Sequence, residues 1–358
     1  LASPRLNVPS SSWLLGGFGL LAALAFCPWI AGGGTSPKWA VLAIAPWLLI
    51  DNTTPKLSKQ TLLLLALVAW CALTIAWAPN KYDAFGELFQ LAIVAGVYLL
   101  GSTVRDGKPY YLGFAIGVVL ATPLEWFSIR IFGSNSDILG EAAAVAIIGC
   151  VCVEAFGLAL LSTAPLIVSG SRGAVLAIAT VAACAAMGRQ SWRTKTFVSL
   201  AGLAAIGCLV VLGSHASIIE RLNIWQDTLD GLTFWGHGLG SYWDMFPHFA
   251  SRIDVLVPAQ TRPDHAHNDL LELIFETGAI GGLLALAIVA TVFSSSSPER
   301  YIVICVFVMA FVGFSLHLPA TLGMAAFALG RINRSSDLQR RVVAGRIPSK
   351  HLPMEPSF

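Results

Sequence analysis

The stretch HAHNDLLELIFETGAIGGLLALAIVATVF, residues 265–293, runs from two closely spaced histidines into an apolar segment with no charge after Glu276. About 20 predominantly apolar residues span the hydrocarbon core of a bilayer, so this segment predicts a membrane-crossing helix. Its first turns nevertheless carry Asp269, Glu272 and Glu276. Carboxylates at that depth are costly and face a bundle interior or water. Asp269 with Glu272 resembles a capping arrangement, which predicts a helix start near Leu270. His267 then sits just ahead of a helix N-terminus, where backbone N–H groups and the dipole favour anions.

Outward from this stretch, similar apolar runs recur through the chain. Of 358 residues, 56% are apolar and 12% charged, and mean hydropathy is +0.73. A soluble domain carries roughly a quarter charged residues. The sequence therefore predicts an all-α polytopic integral membrane protein, one transmembrane domain over 1–358, because lipid offers the backbone no hydrogen-bond partners. About twelve spans are expected, at 13–30, 38–50, 61–78, 86–103, 110–128, 138–151, 152–169, 172–188, 196–213, 269–293, 301–316 and 318–330. The first reads as a retained span rather than a signal peptide, because many like it follow. All seven cysteines lie in apolar runs, which favours core packing over disulfides. A net charge of +2 without a basic, aromatic-interleaved patch excludes nucleic acid as a partner.

Basic residues set the orientation. With the N-terminus inside, the loop 189–195 and the tail 331–358 are cytoplasmic, and the long polar loop 214–268 faces outward together with Arg172. That loop holds His215, His237, His248, His265 and His267, five of the seven histidines. Ile218, Leu222, Trp225, Leu229 and Leu232 recur at helical spacing and predict an amphipathic helix lying in the interface as a lid. Trp235 to Ser241 is a glycine-rich turn, read as a tight turn or as close approach to a ligand. No strand–turn–helix context supports dinucleotide binding. A metal site from Asp264, His265, His267 and Asp269 has no recognisable spacing, and none is expected. Arg172 either snorkels to the interface or points inward as a fork for a phosphate or pyrophosphate. Arg221 on the lid helix would then close from the other side.

Taken in order, Ser171-Arg172-Gly173 after an apolar span, Arg221 to Trp225, Gly236 to Ser241, and His265 through Gly281 with Glu276 and Gly278 resemble the O-antigen ligase and polymerase superfamily. Phe132-Gly133-Ser134-Asn135 is similar to that family's upstream asparagine segment, and the resemblance covers 130–285. It implies a glycosyltransferase of the bacterial inner membrane whose active face is periplasmic. The donor would be an undecaprenyl-diphosphate-linked glycan, with no metal, nucleotide sugar or other cofactor. Arg172 and Arg221 would be catalytic and hold the diphosphate, His267 or His265 would act at the acceptor hydroxyl, and Asn268 and Glu276 would bind substrate. The displacement would be inverting. Three readings follow. One is a ligase with lipid A–core as acceptor, and another a polymerase of O-antigen or exopolysaccharide units extending a growing glycan. The third, of another class, is a glycan or lipid transporter without chemistry. A transporter should bury ionisable groups near the midplane, whereas here they gather at one face, Glu154 excepted.

Overall fold

The computed structural model describes Trp39 and residues 57–104, 106–132, 136–187, 215–251 and 263–343. The expected spans at 13–30 and 196–213, nearly all of 38–50, the segment 133–135 and the chain beyond 343 lie outside the described residues. Every regular element among the described residues is helical, as the sequence predicts. In chain order these are α1 Lys59–Thr74, α2 Lys81–Thr103, α3 Lys108–Phe132, α4 Ser136–Cys152, α5 Phe156–Leu161, α6 Thr163–Ser169 and α7 Arg172–Met187. They are followed by α8 His215–Asp230, α9 Tyr242–Met245, α10 Asp269–Phe293, α11 Arg300–Ala310 and α12 Pro319–Val343.

Among the described residues, α2 and α10 are long and apolar enough to cross a membrane, and four shorter apolar helices accompany them. The expectation of about twelve spans goes beyond these. Leu62, Phe85, Phe89, Leu120, Leu160, Ile167 and Leu283 are each more than half exposed. Water would not tolerate so many large apolar side chains on one small bundle, whereas lipid would.

The split expected near residue 152 is present. The chain turns at 153–155 with Glu154 at φ 59, and the return arm brings Ser169 and Ser171 against Gly140. That arm breaks between α5 and α6 at Ser162, where Pro165 has no N–H to continue the ladder. Glu154 is exposed in the turn. At the same end, Arg334 donates to the Thr103 carbonyl at 2.5 Å and Arg331 to that of Val104, satisfying carbonyls at the end of α2. Lys59, Lys108 and Arg300 share this basic end.

At the opposite end α10 is broken. Gly278 has φ 71 and ψ −171, which releases the carbonyls of Phe275, Glu276 and Thr277 and the N–H of Ala279. Such groups must be paired in an apolar interior. The segment 234–238 of the glycine-rich turn supplies most of the partners. His237 N–H donates to Phe275 O at 3.0 Å, Gly238 N–H to Glu276 O at 2.7 Å, and Ala279 N–H to Phe234 O at 3.0 Å. Trp70 Nε1 takes the Thr277 carbonyl at 2.8 Å. The close backbone approach at this turn is made to α10. Gly236, at φ 72, lies so close to Glu276 and Gly278 that a Cβ would overlap their backbone atoms. We expect Gly236→Ala to lower stability in detergent by about 2 kcal/mol or more. Gly86→Ala, in open space on α2, should change it by no more than about 1 kcal/mol. Thermal unfolding of the two purified variants checks this.

Candidate active site

The site is assembled around a short turn, Val312 to His317, that joins α11 to α12. Arg221 Nη1 donates to the Val312 carbonyl at 2.5 Å, and its Nη2 lies 3.9 Å from Asp137 at the start of α4. A Cβ on Gly173, beside Arg172, would reach Val312 at 3.3 Å. Phe314 carries both loop histidines on its ring, with His265 stacked and His267 edge-on, each at 5.7 Å between centroids. Ser315 Oγ donates to the buried Glu141 carboxylate at 2.8 Å. Leu316 N–H donates to Asp269 Oδ2 at 2.7 Å, and the His317 ring meets Asp269 Oδ1 at 3.0 Å.

Arg172 opens α7, and local hydroxyls fix the start of that helix. Gly170 takes the left-handed conformation at φ 64, Ser169 Oγ accepts the Ser171 N–H, and Ser171 Oγ accepts the Ala174 N–H at 3.4 Å. The Arg172 side chain is exposed at the same end of the bundle as Arg221. Among the described residues no hydrogen bond joins it to Arg221 or to the histidines.

The lid helix α8 forms as its periodicity predicts, with Ile218, Trp225 and Leu232 of the expected stripe half-buried. Leu222 and Leu229 from the expected apolar stripe are exposed, whereas Ile224, Asp227 and Thr228 are buried. Asp227 and Thr228 turn inward because partners wait there, whereas Glu220, Gln226 and Asp230 are exposed. Asp227 accepts Ser251 N–H at 3.0 Å and Ser251 Oγ at 2.7 Å, and Thr228 meets Tyr242 Oη at 3.0 Å. Trp225, expected at headgroup level, donates its Nε1 to the Ala266 carbonyl at 3.0 Å. Ile219, Leu222 and Leu229 exposed beside Glu220, Gln226 and Asp230 suit a helix lying in a membrane interface.

The two histidines separate clearly. His265 Nδ1 is held by Glu272 Oε1 at 2.9 Å. His267 is one of two described non-glycine residues with positive φ, at 52°, and its Nδ1 is buried without a hydrogen bond. Burial, reinforced by the positive charge of Arg221, holds the His267 imidazole below its ordinary pKa and therefore neutral. His317 goes the other way. Burial alone would lower it, but the carboxylates of Glu272 and Asp269 override burial and keep it well above the usual imidazole value.

Asn268 is the N-cap of α10, its Oδ1 accepting Leu271 N–H at 3.1 Å. This frees Asp269 and Glu272, expected as capping groups, to turn inward. Glu276 is buried and accepts the Tyr242 N–H at 3.0 Å, bracing the glycine-rich turn. His237 is likewise structural, bonded to the Gly231 carbonyl at 2.7 Å. One ligand atom from each of His265, Glu272 and His317 lies within 4.8 Å of the others, a grouping of metal-binding chemistry. The metal quartet weighed from sequence shares only His265 with it. Here the three groups are joined by contacts of 2.9 and 3.3 Å that pass through Glu272.

His317, Glu141 and the 312–317 turn are the parts that sequence reasoning missed. The available signal was a polar interruption, Ser315 and His317, between two apolar runs.

These features define a class: an all-helical protein with membrane-length apolar helices and a site rich in histidine, carboxylate and arginine at one end of its bundle. Residues 157–286 match the family model described as O-Antigen ligase, a match that overlaps the stretch whose motifs resemble that family. Members of the family are glycosyltransferase-like membrane enzymes of O-antigen assembly. No curated protein matches the chain.

The state of His267 is open to measurement. Modification of its imidazole by diethyl pyrocarbonate, followed by mass spectrometry against pH, should have a midpoint below 6.5. The lowered pKa means that protonation begins only at more acid pH, so the reactive neutral ring persists further down the scale. Arg221→Gln removes one depressing charge and should move the midpoint upward. An unchanged midpoint would mean that the guanidinium does not act on the ring.

Proposed function

We propose that the protein is a membrane glycosyltransferase that moves a glycan from undecaprenyl diphosphate to an acceptor hydroxyl at the periplasmic face of the inner membrane, with lipid A–core as the acceptor. The observation that carries this reading is that Arg221, on the Val312 carbonyl, and His267, against the Phe314 ring, meet at one short turn and both belong to a segment that matches O-antigen ligases. The acceptor oxygen attacks the anomeric carbon as the bond from that carbon to the diphosphate oxygen breaks. Configuration inverts, the acceptor proton passes to the His267 imidazole, and the electron pair leaves with the lipid diphosphate. Arg221, with Arg172 reaching in from the start of α7, stabilises the charge that grows on the leaving group. His265 is committed to Glu272 and is assigned a supporting part. Asn268 and Glu276 act through the fold, as cap and brace.

Sidedness follows from the basic residues gathered at the end carrying Lys108, Arg300, Arg331 and Arg334, which is cytoplasmic on this reading. With the native cysteines replaced, Asp264→Cys should react with a membrane-impermeant maleimide in intact cells, and Glu154→Cys only after permeabilisation. The opposite pattern would invert the topology and remove the periplasmic site.

Arg221→Ala and His267→Ala should each reduce surface glycan by about a hundredfold or more at unchanged membrane levels, and Arg172→Ala should do the same. Wild-type output from all three would reject the site. Deletion of the gene separates the acceptors. Full-length polymer left on the lipid carrier identifies a ligase, and single repeat units identify a polymerase.

A further inference from the structure

His317 lies beyond the matched segment 157–286 and has no part in the displacement described above. It belongs to a single 3-10 turn, Ser315–His317. Both ring nitrogens meet carboxylates. Nδ1 is 3.0 Å from Asp269 Oδ1, and Nε2 is 3.3 Å from Glu272 Oε1. The two carboxylates are each 3% exposed and stand one helical turn apart. Buried at that spacing they repel each other unless a donor comes between them.

Glu272 transmits this contact onward. Its Oε1 also takes His265 Nδ1, and its Oε2 accepts the Ala266 N–H at 2.7 Å. Trp225 Nε1 holds the Ala266 carbonyl at 3.0 Å. The residue just ahead of His267 is therefore gripped through both of its backbone polar groups. His267 itself occupies the left-handed region at φ 52, which is uncommon for a residue other than glycine and which its neighbours must hold in place.

We propose that His317 is a positioning residue for His267. By donating to Asp269 and Glu272 together, it fixes the Glu272 carboxylate on the Ala266 N–H and so holds His267 in its strained backbone conformation beside Arg221. The proposal rests on the reading of His267 as the group that accepts the acceptor proton. A divalent cation shared by His265, Glu272 and His317 is the competing account of the same cluster.

The full-length protein, purified in detergent and also expressed in a deletion strain, provides the test. His317→Gln places an amide donor near the position of Nε2 and keeps the bond to Glu272. His317→Asn places one near Nδ1 and keeps only the bond to Asp269. His317→Ala removes both. Three quantities are read: the rate at which diethyl pyrocarbonate modifies His267, the surface glycan per unit of membrane protein, and the metal content of the purified wild type and variants.

The Gln variant should stay within about threefold of wild type on both rate and output. The Asn and Ala variants should shift the His267 rate by more than about threefold and lower output about tenfold or more, as expected when a reacting group is misplaced. If the Ala variant does not accumulate, the comparison of Gln with Asn decides alone. Wild-type His267 reactivity in both Asn and Ala overturns the proposal, and so do equal effects of Gln and Asn. Lost output at unchanged His267 reactivity also overturns it, since His317 would then act directly. Stoichiometric divalent metal in the wild type, absent from the variants, replaces it with a metal site. A shifted His267 rate with undiminished output leaves the positioning intact and instead refutes His267 as the base.

Discussion

A backbone polar group cannot be left unpaired where water is absent, and the break in α10 at Gly278 makes that requirement local. Three carbonyls and one N–H lose their helical partners there, and residues far away in the chain supply new ones. The glycine-rich turn is held to α10 by these bonds, and α1 is joined to it through Trp70. Close approach of this kind tolerates no Cβ at Gly236 or Gly278. The exchange also divides α10 into two parts. A short polar arm, 269–277, carries the buried carboxylates, and the apolar remainder resembles an ordinary membrane helix.

The polar arm explains how ionisable groups survive inside an apolar bundle. Asp269, Glu272 and Glu276 are all buried, yet each accepts hydrogen bonds from a backbone N–H or an imidazole. Charged groups out of water are tolerated when paired and fully bonded. The donors come from the loop before α10, from the glycine-rich turn and from the 312–317 turn. The site thus forms only when these three segments meet. The buried polar groups of α8 follow the same logic. Asp227 and Thr228 find partners inward, while Leu222 and Leu229 are exposed.

Proposed roles for His267 and Arg221 sit well on this frame. A neutral imidazole near a guanidinium is matched to taking a proton while an anionic leaving group departs. Asn268 and Glu276, attractive as ligand-binding residues when read in sequence, have their oxygens occupied by the backbone. A side chain that caps a helix or braces a turn shapes a site through the fold.

Much of this was legible in the residues themselves. Apolar runs in a chain so poor in charge dictate helices, because a helix satisfies its own backbone in lipid and the period of these runs is wrong for the strands of a closed barrel. The order of the arginine, glycine and histidine motifs marked the segment 130–285, which the family match at 157–286 overlaps. Span length placed a break near residue 152, and periodicity placed a lid helix over Ile218 to Leu232. Periodicity could not say which face of α8 would be buried, since a stripe of leucines points toward apolar surroundings whether these are a core or a bilayer. Nor could spacing separate His265 from His267, or bring His317 to Asp269 across 48 residues of chain. Pairing among buried ionisable groups depends on which helices lie side by side, and that is set by packing over the whole bundle. Sequence determined which segments are helical and where polar chemistry is concentrated. Only the tertiary structure decided which of those polar groups hold one another and which is left free to react.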